Sequence, residues 1–234
     1  MNKHTVFMVK NFNRILAVGL SGSIFALAGA VSYVSDAATS SFTQTINPGT
    51  LAVDIVNGSF VSVASPAVAL SAVNVSFSCQ TSTGTFGTTT QKIYVSNPDA
   101  ADNGWTMSLA ASAPTVTWTS AGNPFDFNDP ATSGCTDGGD ADTYAGQMTV
   151  NPSGATLATG QCTGGCNTSN ITKGSSSAFS QGVTDSITIL SGASGSSDIG
   201  DWTLTGVAIS QTIPAEQPAA SDYDLDLTLS VVSS

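Results

Sequence analysis

Apolar and polar residues alternate with a period of two along much of the chain, most cleanly near its end. From Asp222 to Val232, Tyr223, Leu225, Leu227, Leu229 and Val231 fall on one parity, and Asp222, Asp224, Asp226, Thr228 and Ser230 on the other. Successive side chains of a strand point to opposite faces, so this spacing predicts a strand with one dry face that a second sheet layer must cover. The same alternation recurs at Leu51, Val53 and Ile55, at Val73, Val75 and Phe77, at Trp105, Met107 and Leu109, at Val116 and Trp118, and through Trp202, Leu204, Val207 and Ile209. Ile93 to Val95, Gln147 to Val150 and Ile187 to Leu190 read as shorter strands. Asn57-Gly58, between Ile55 and Phe60, predicts a hairpin turn. The Thr/Gly-rich stretch from Gln80 to Thr90 reads as a loop. No window sustains a 3.6-residue period. Short strands with turn signals between them predict an all-β fold, a single antiparallel β-sandwich of Greek-key or Ig-like type with long Gly/Ser/Asp-rich loops.

Composition places this fold outside the cell. The 234 residues are 41% hydrophobic and only 9% charged, with 23 glycines. Lys3, Lys10 and Arg14 precede an apolar run from Ile15 to Leu27 that ends in Ala28-Gly29-Ala30. That is the layout of a secretory signal peptide, and the run is shorter than the roughly 20 residues of a membrane-spanning helix. The expected division is a signal peptide over 1–30, an N-terminal arm over 31–49 and a β-sandwich domain over 50–234. Ser35-Asp36-Ala37 offers a second cleavage site. No membrane span is expected after cleavage.

Cleavage changes the charge and the available chemistry. The remaining chain holds two lysines, Lys92 and Lys173, against 16 acidic residues, a formal charge of −14. Such a field repels nucleic acid and attracts cations. The only histidine, His4, leaves with the signal, which excludes Ser-His-Asp and Cys-His catalysis and histidine-ligated metal sites. Glu216, the only glutamate, sits between Pro214 and Pro218. No catalytic residue is assigned, and the chain does not read as an enzyme.

Two constellations remain in the exported part. Cys79, Cys135, Cys162 and Cys166 are even in number, which suggests two disulfides; sequence leaves three connectivities open, and the expected pairing is Cys79 with Cys135 and Cys162 with Cys166. Between Asn123 and Tyr144 the apolar pattern lapses into Pro, Gly and Asp, which is long for a plain connection. Asp126, Asn128, Asp129, Asp137, Asp140 and Asp142 crowd this glycine-rich stretch. Calcium takes six to eight oxygen ligands in irregular geometry, so these residues are the expected calcium ligands. The alternative is a solvated acidic loop.

Trp105, Trp118 and Trp202 lie within alternating strands, which points to core packing; exposed rings would instead make a sugar-stacking platform. Gly104-Trp105-Thr106-Met107 resembles the first Trp-x-Leu motif of WxL-domain surface proteins, with Met107 in the Leu position. The run from Tyr223 through Leu227 to Val231 is similar to that family's terminal motif, with Leu229 where the family has Trp, and Trp202-Thr203-Leu204 supplies a literal Trp-x-Leu elsewhere. The resemblance implies a β-rich protein bound non-covalently to bacterial cell walls. Ala28 to Asp36, followed by Asn47-Pro48-Gly49-Thr50-Leu51, is also similar to the N-terminal region of camelysin and TasA-type biofilm-fibre proteins, in which a short arm after the signal leads into a Gly-Thr-Leu strand.

The expected function is a secreted bacterial cell-surface structural or adhesive subunit whose arm adds as a strand to another copy, giving filaments. The alternative is a non-covalent cell-wall or carbohydrate-binding module of WxL type. The expected partners are accordingly other copies of the chain or cell-wall polysaccharide.

Overall fold

The computed structural model describes residues 42–99, 103–140, 142–196 and 199–234. The expected signal peptide and most of the expected arm lie outside the described residues. The chain divides into two units, Met1–Ile46 and Asn47–Ser234. Residues 42–46 of the first carry no strand, and Phe42 and Ile46 are 95% and 89% exposed.

The second unit holds all the described strands: β1 (Ala52–Val56), β2 (Gln80–Phe86), β3 (Lys92–Asn97), β4 (Trp105–Ala111), β5 (Gln147–Asn151), β6 (Thr156–Thr159), β7 (Ile171–Lys173), β8 (Ser177–Ala178), β9 (Ser186–Gly192), β10 (Gly200–Thr205), β11 (Val207–Ile213) and β12 (Leu227–Ser233). They form three antiparallel four-stranded sheets, ordered β1-β3-β10-β6, β2-β11-β5-β8 and β12-β4-β9-β7. The first two are joined at a corner. β10 passes directly into β11 through Gly206, and β2 into β3 through the turn that starts at Gly87. Both glycines have positive φ, +85° and +81°, and the Gly206 N–H donates to the Gly87 carbonyl at 2.7 Å. A side chain at Gly87 would start 2.8 Å from the Leu204 carbonyl, so only glycine turns this corner without displacement.

The three sheets contribute to one shared core, consistent with a sandwich. Trp105 on β4 and Trp202 on β10 are buried and meet with ring centroids 5.6 Å apart. Ile93, Val95 and Leu204 from one side join Met107, Leu109 and Ile189 from the other in a single core. Burying each such side chain contributes about 1.5–3 kcal/mol, and this cross-layer contact is what makes the alternating strands stable.

Several segments depart from their sequence reading. Val73, Val75 and Phe77 alternate but form no strand, and they are 40%, 60% and 91% exposed. The adjacent Gln80–Phe86, which reads as a loop, is instead β2, because β11 supplies a full seven-residue partner in register from Gln80 opposite Ile213 to Phe86 opposite Val207. The expected hairpin at Asn57-Gly58 shrinks to one bridge, Val56 to Ser62, since β1 pairs with β3. The Asn57 side chain accepts from the Ser59 and Val61 N–H groups, and the positive φ falls at Phe60. Val116 lies in no strand or bridge, and the residues after it make only isolated bridges, Trp118 to Phe125 and Thr119 to Asp224. β6, β7 and β8 are short strands that no apolar alternation signals.

Candidate functional site

The acidic stretch is held against β5 as if it were one more strand. The Asp126 N–H donates to the Ala145 carbonyl at 2.9 Å, the Asp129 N–H to Gly146 at 3.0 Å and the Met148 N–H to Phe127 at 2.6 Å. Gly146 has φ +142°, and a Cβ there would lie 1.9 Å from the Asp126 carbonyl oxygen, so the close approach requires glycine. Phe127 anchors the segment from beneath, edge-on to Phe179 at 5.2 Å, both wholly buried. The disulfide Cys79–Cys135 ties the loop to the start of β2, and Cys162–Cys166 is the second disulfide.

These constraints sort the six expected ligands. Asp126, Asp140 and Asp142 converge, each offering a carboxylate oxygen within 4.8 Å of the others. Asp129 is buried but saturated, accepting from the Ala131 N–H at 2.8 Å and the Gly138 N–H at 2.7 Å, and so clasps the loop. Asp137 is exposed and accepts from the Gly139 N–H. Asn128 is buried; its amide donates to the Pro114 carbonyl at 2.8 Å, while its Oδ1 has no partner.

The converging trio is short of donors. Asp126 is 0% exposed; its Oδ1 accepts from the Phe127 N–H at 2.7 Å and its Oδ2 is buried without a partner. Asp140 Oδ1 accepts from the Asp142 N–H, and Asp140 Oδ2 is likewise buried and unpartnered. Burial pushes the Asp126 carboxyl up to about 7; the Phe127 N–H opposes this, and the neighbouring Asp142 and Asp140 charges add to it. Burial also raises Asp142, against the Tyr144 N–H, with Asp140, Asp137 and Asp129 pushing the same way.

Asp201 gives the contrast within the same molecule. Its carboxylate is 5% exposed, yet it accepts from the Gln161 N–H at 2.6 Å, the Cys162 N–H at 2.8 Å and the Tyr94 hydroxyl at 2.8 Å. Cys162 and Cys166 lie beside it, but their sulfurs are bonded to each other and unavailable as metal ligands. That cluster is complete in itself.

A second open feature lies along β12. This strand pairs with β4 from Leu227 opposite Ala111 to Ser233 opposite Trp105, and it stands at the end of its sheet. Its expected dry parity is right, but Tyr223, Leu225, Leu227, Leu229 and Val231 are only half-buried. Beside it opens a cavity of about 450 Å³, lined among others by Leu227 and Leu229, by Ile55 of the β1 edge, by Leu70 and by Trp118. Trp118 is half-buried, stacked on Phe125 at 5.6 Å, and its indole N–H donates to Gln211 at 3.0 Å. Gln211, wholly buried, donates in turn to the Asp126 carbonyl at 3.0 Å, so one side chain links the groove to the acidic centre. Sequence reading passes over Gln211, although its signal is present: it is a polar residue on the dry parity of Val207 and Ile209.

The remaining residues of the WxL-like motifs are core. Trp105, Met107, Trp202 and Leu204 are at most 1% exposed, and the Trp202 indole donates to the Asn167 carbonyl at 2.8 Å. Among the described residues no helix is long and apolar enough to cross a membrane. The chain matches no family model, no curated protein and no solved structure.

Proposed function

We propose that this chain is a secreted bacterial cell-surface structural or adhesive subunit in which the arm of one copy adds as a strand along β12 of the next. The supporting observation is the complementarity of two features. β12 stands at the end of its sheet with a half-buried apolar face, beside a groove of about 450 Å³. The arm segment ahead of β1 carries Tyr33, Val34, Phe42 and Ile46, of which Phe42 and Ile46 are described and almost fully exposed. Strand addition takes affinity from main-chain hydrogen bonds and register from side chains that enter pockets. An arm-to-edge contact is heterologous, so repetition gives an open filament unless the rotation closes a ring. The two disulfides and the signal-like N-terminus support placement outside the cell.

The wall- or carbohydrate-binding reading loses its two best candidates for sugar stacking, because the buried rings of Trp105 and Trp202 have no face free for a ligand.

Electron microscopy and sedimentation of the secreted protein test the proposal. A chain beginning at Val31 should form filaments, and one beginning at Pro48 should remain a folded monomer. Filaments from the shortened chain would overturn the reading, as would a longer chain that stays monomeric at every concentration. The second outcome would point to an arm paired with its own sheet.

A further inference from the structure

We infer that Asp126, Asp140 and Asp142 form a binding site for one calcium ion, inside the loop clasped by Asp129 and the Cys79–Cys135 disulfide. Three carboxylates brought within 4.8 Å of one another repel unless something positive lies among them. An acidic cluster alone is commonplace on a surface, but this one reaches into the interior through Asp126. Asp126 is wholly buried with one carboxylate oxygen unpartnered, and Asp140 has a second such oxygen. A buried carboxylate oxygen without a donor costs several kcal/mol, and proteins ordinarily leave none.

No side chain of the described residues supplies the missing charge. The lysines of the exported part are both committed elsewhere. Lys92 sits over the Phe60 ring, 4.9 Å from its centroid, and the Lys173 ammonium donates to the Ala155 carbonyl at 2.7 Å. Backbone N–H groups answer one oxygen each of Asp126, Asp140 and Asp142, and leave the others for a ligand. The donor set is all oxygen, which suits a hard cation. It sits on an irregular loop that carbonyls and water can complete to a high coordination number, which suits calcium better than the strict octahedron of magnesium. The contrast with Asp201, whose carboxylate is filled by three donors, shows that this fold satisfies a buried acid where no ligand is needed.

Calorimetric titration of the secreted protein with calcium chloride at pH 8, after stripping with chelator, tests the site. The expected result is one ion per chain, with magnesium chloride at least about tenfold weaker. Asp142→Asn alters a partly exposed residue and should leave the fold intact while weakening calcium at least about tenfold. Asp126→Asn should do the same, its fold followed by circular dichroism, and Asp137→Asn, outside the trio, should stay within about twofold of the parent. Absence of both heat and a calcium-dependent melting shift in the parent would overturn the inference. Unchanged affinity in Asp142→Asn would also overturn it, and equal affinity for magnesium would overturn the assignment to calcium. None of these outcomes depends on assembly, which is read by microscopy.

Discussion

The acidic centre and the β12 edge differ in what they leave unpartnered: carboxylate oxygens at the first, one side of a strand at the second. At the centre, backbone geometry is tightly fixed by the pairing of Asp126 to Asp129 with Ala145 to Met148, and what is missing is positive charge. β12 itself carries no charged residue; its apolar face is only half-buried, and it has a hydrogen-bonded strand on one side alone. Elsewhere the same chain satisfies a buried acid itself, as it does at Asp201 with three donors. The two proposals follow this difference: a small hard ion at one place, an extended polypeptide at the other. Gln211 joins them physically, bonded to Trp118 at the groove and to the Asp126 carbonyl at the centre.

The largest separation of the two regions should come from breaking the covalent tie. Cys79→Ala with Cys135→Ala opens a loop with a sequence separation of 56 residues, and chain-entropy reasoning puts the loss at about 4 kcal/mol. Chemical denaturation should show that loss, and calcium titration should show a weaker site. Next in size is Leu229→Asp, which places a charge on the half-buried face of β12. It should cost about 1–3 kcal/mol and abolish filaments in the electron microscope while calcium binding is kept. Calcium at a hundredfold excess over the parent's Kd should stabilise the parent by about 2.7 kcal/mol through its preference for the folded state, and Asp126→Asn by no more than about 1.4 kcal/mol in the same melting experiment.

A last effect concerns protons. Asp126 holds its proton in the folded chain up to about 7, whereas in the unfolded chain the carboxyl has its ordinary value of 3.8. Folding therefore takes up a proton between these values. The stability linked to it is fully present below pH 3.8 and is lost as pH rises through about 7. In chelator, the melting temperature of the parent should fall relative to that of Asp126→Asn across this window, and calcium at pH 8 should close the gap. Parallel curves for the two proteins would show that the centre carries no special charge burden.

Much of the sandwich is legible in the sequence, for a definite reason. Trp105, Met107 and Leu109, and then Trp202 and Leu204, alternate because each strand has one face on a shared core. Alternation does not reveal whether a segment finds a partner. Val73 to Phe77 alternates and stays unpaired, while the polar Gln80–Phe86 becomes a strand through β11. At the acidic loop, the density of aspartates is visible in the sequence but the division of labour is not. Asp129 becomes a clasp and Asp126 a buried, underbonded acid because Gly146 admits the backbone of Asp126 and Phe127 packs on Phe179. Those are long-range contacts, invisible to a window of sequence. The disulfide pairing was open by counting, and the structure joins the expected partners.

The strand-addition reading is met most directly by hydrogen exchange at β12. A synthetic peptide spanning residues 31–47 is added to the chain beginning at Pro48, and amide exchange is followed along Leu227–Ser233 and, for comparison, along the central strand β4. Backbone amides that gain a strand partner are protected from exchange. Peptide addition should slow exchange in β12 and leave β4 unchanged, and Leu229→Asp should lose that protection. Unchanged exchange in β12 at saturating peptide would contradict strand addition.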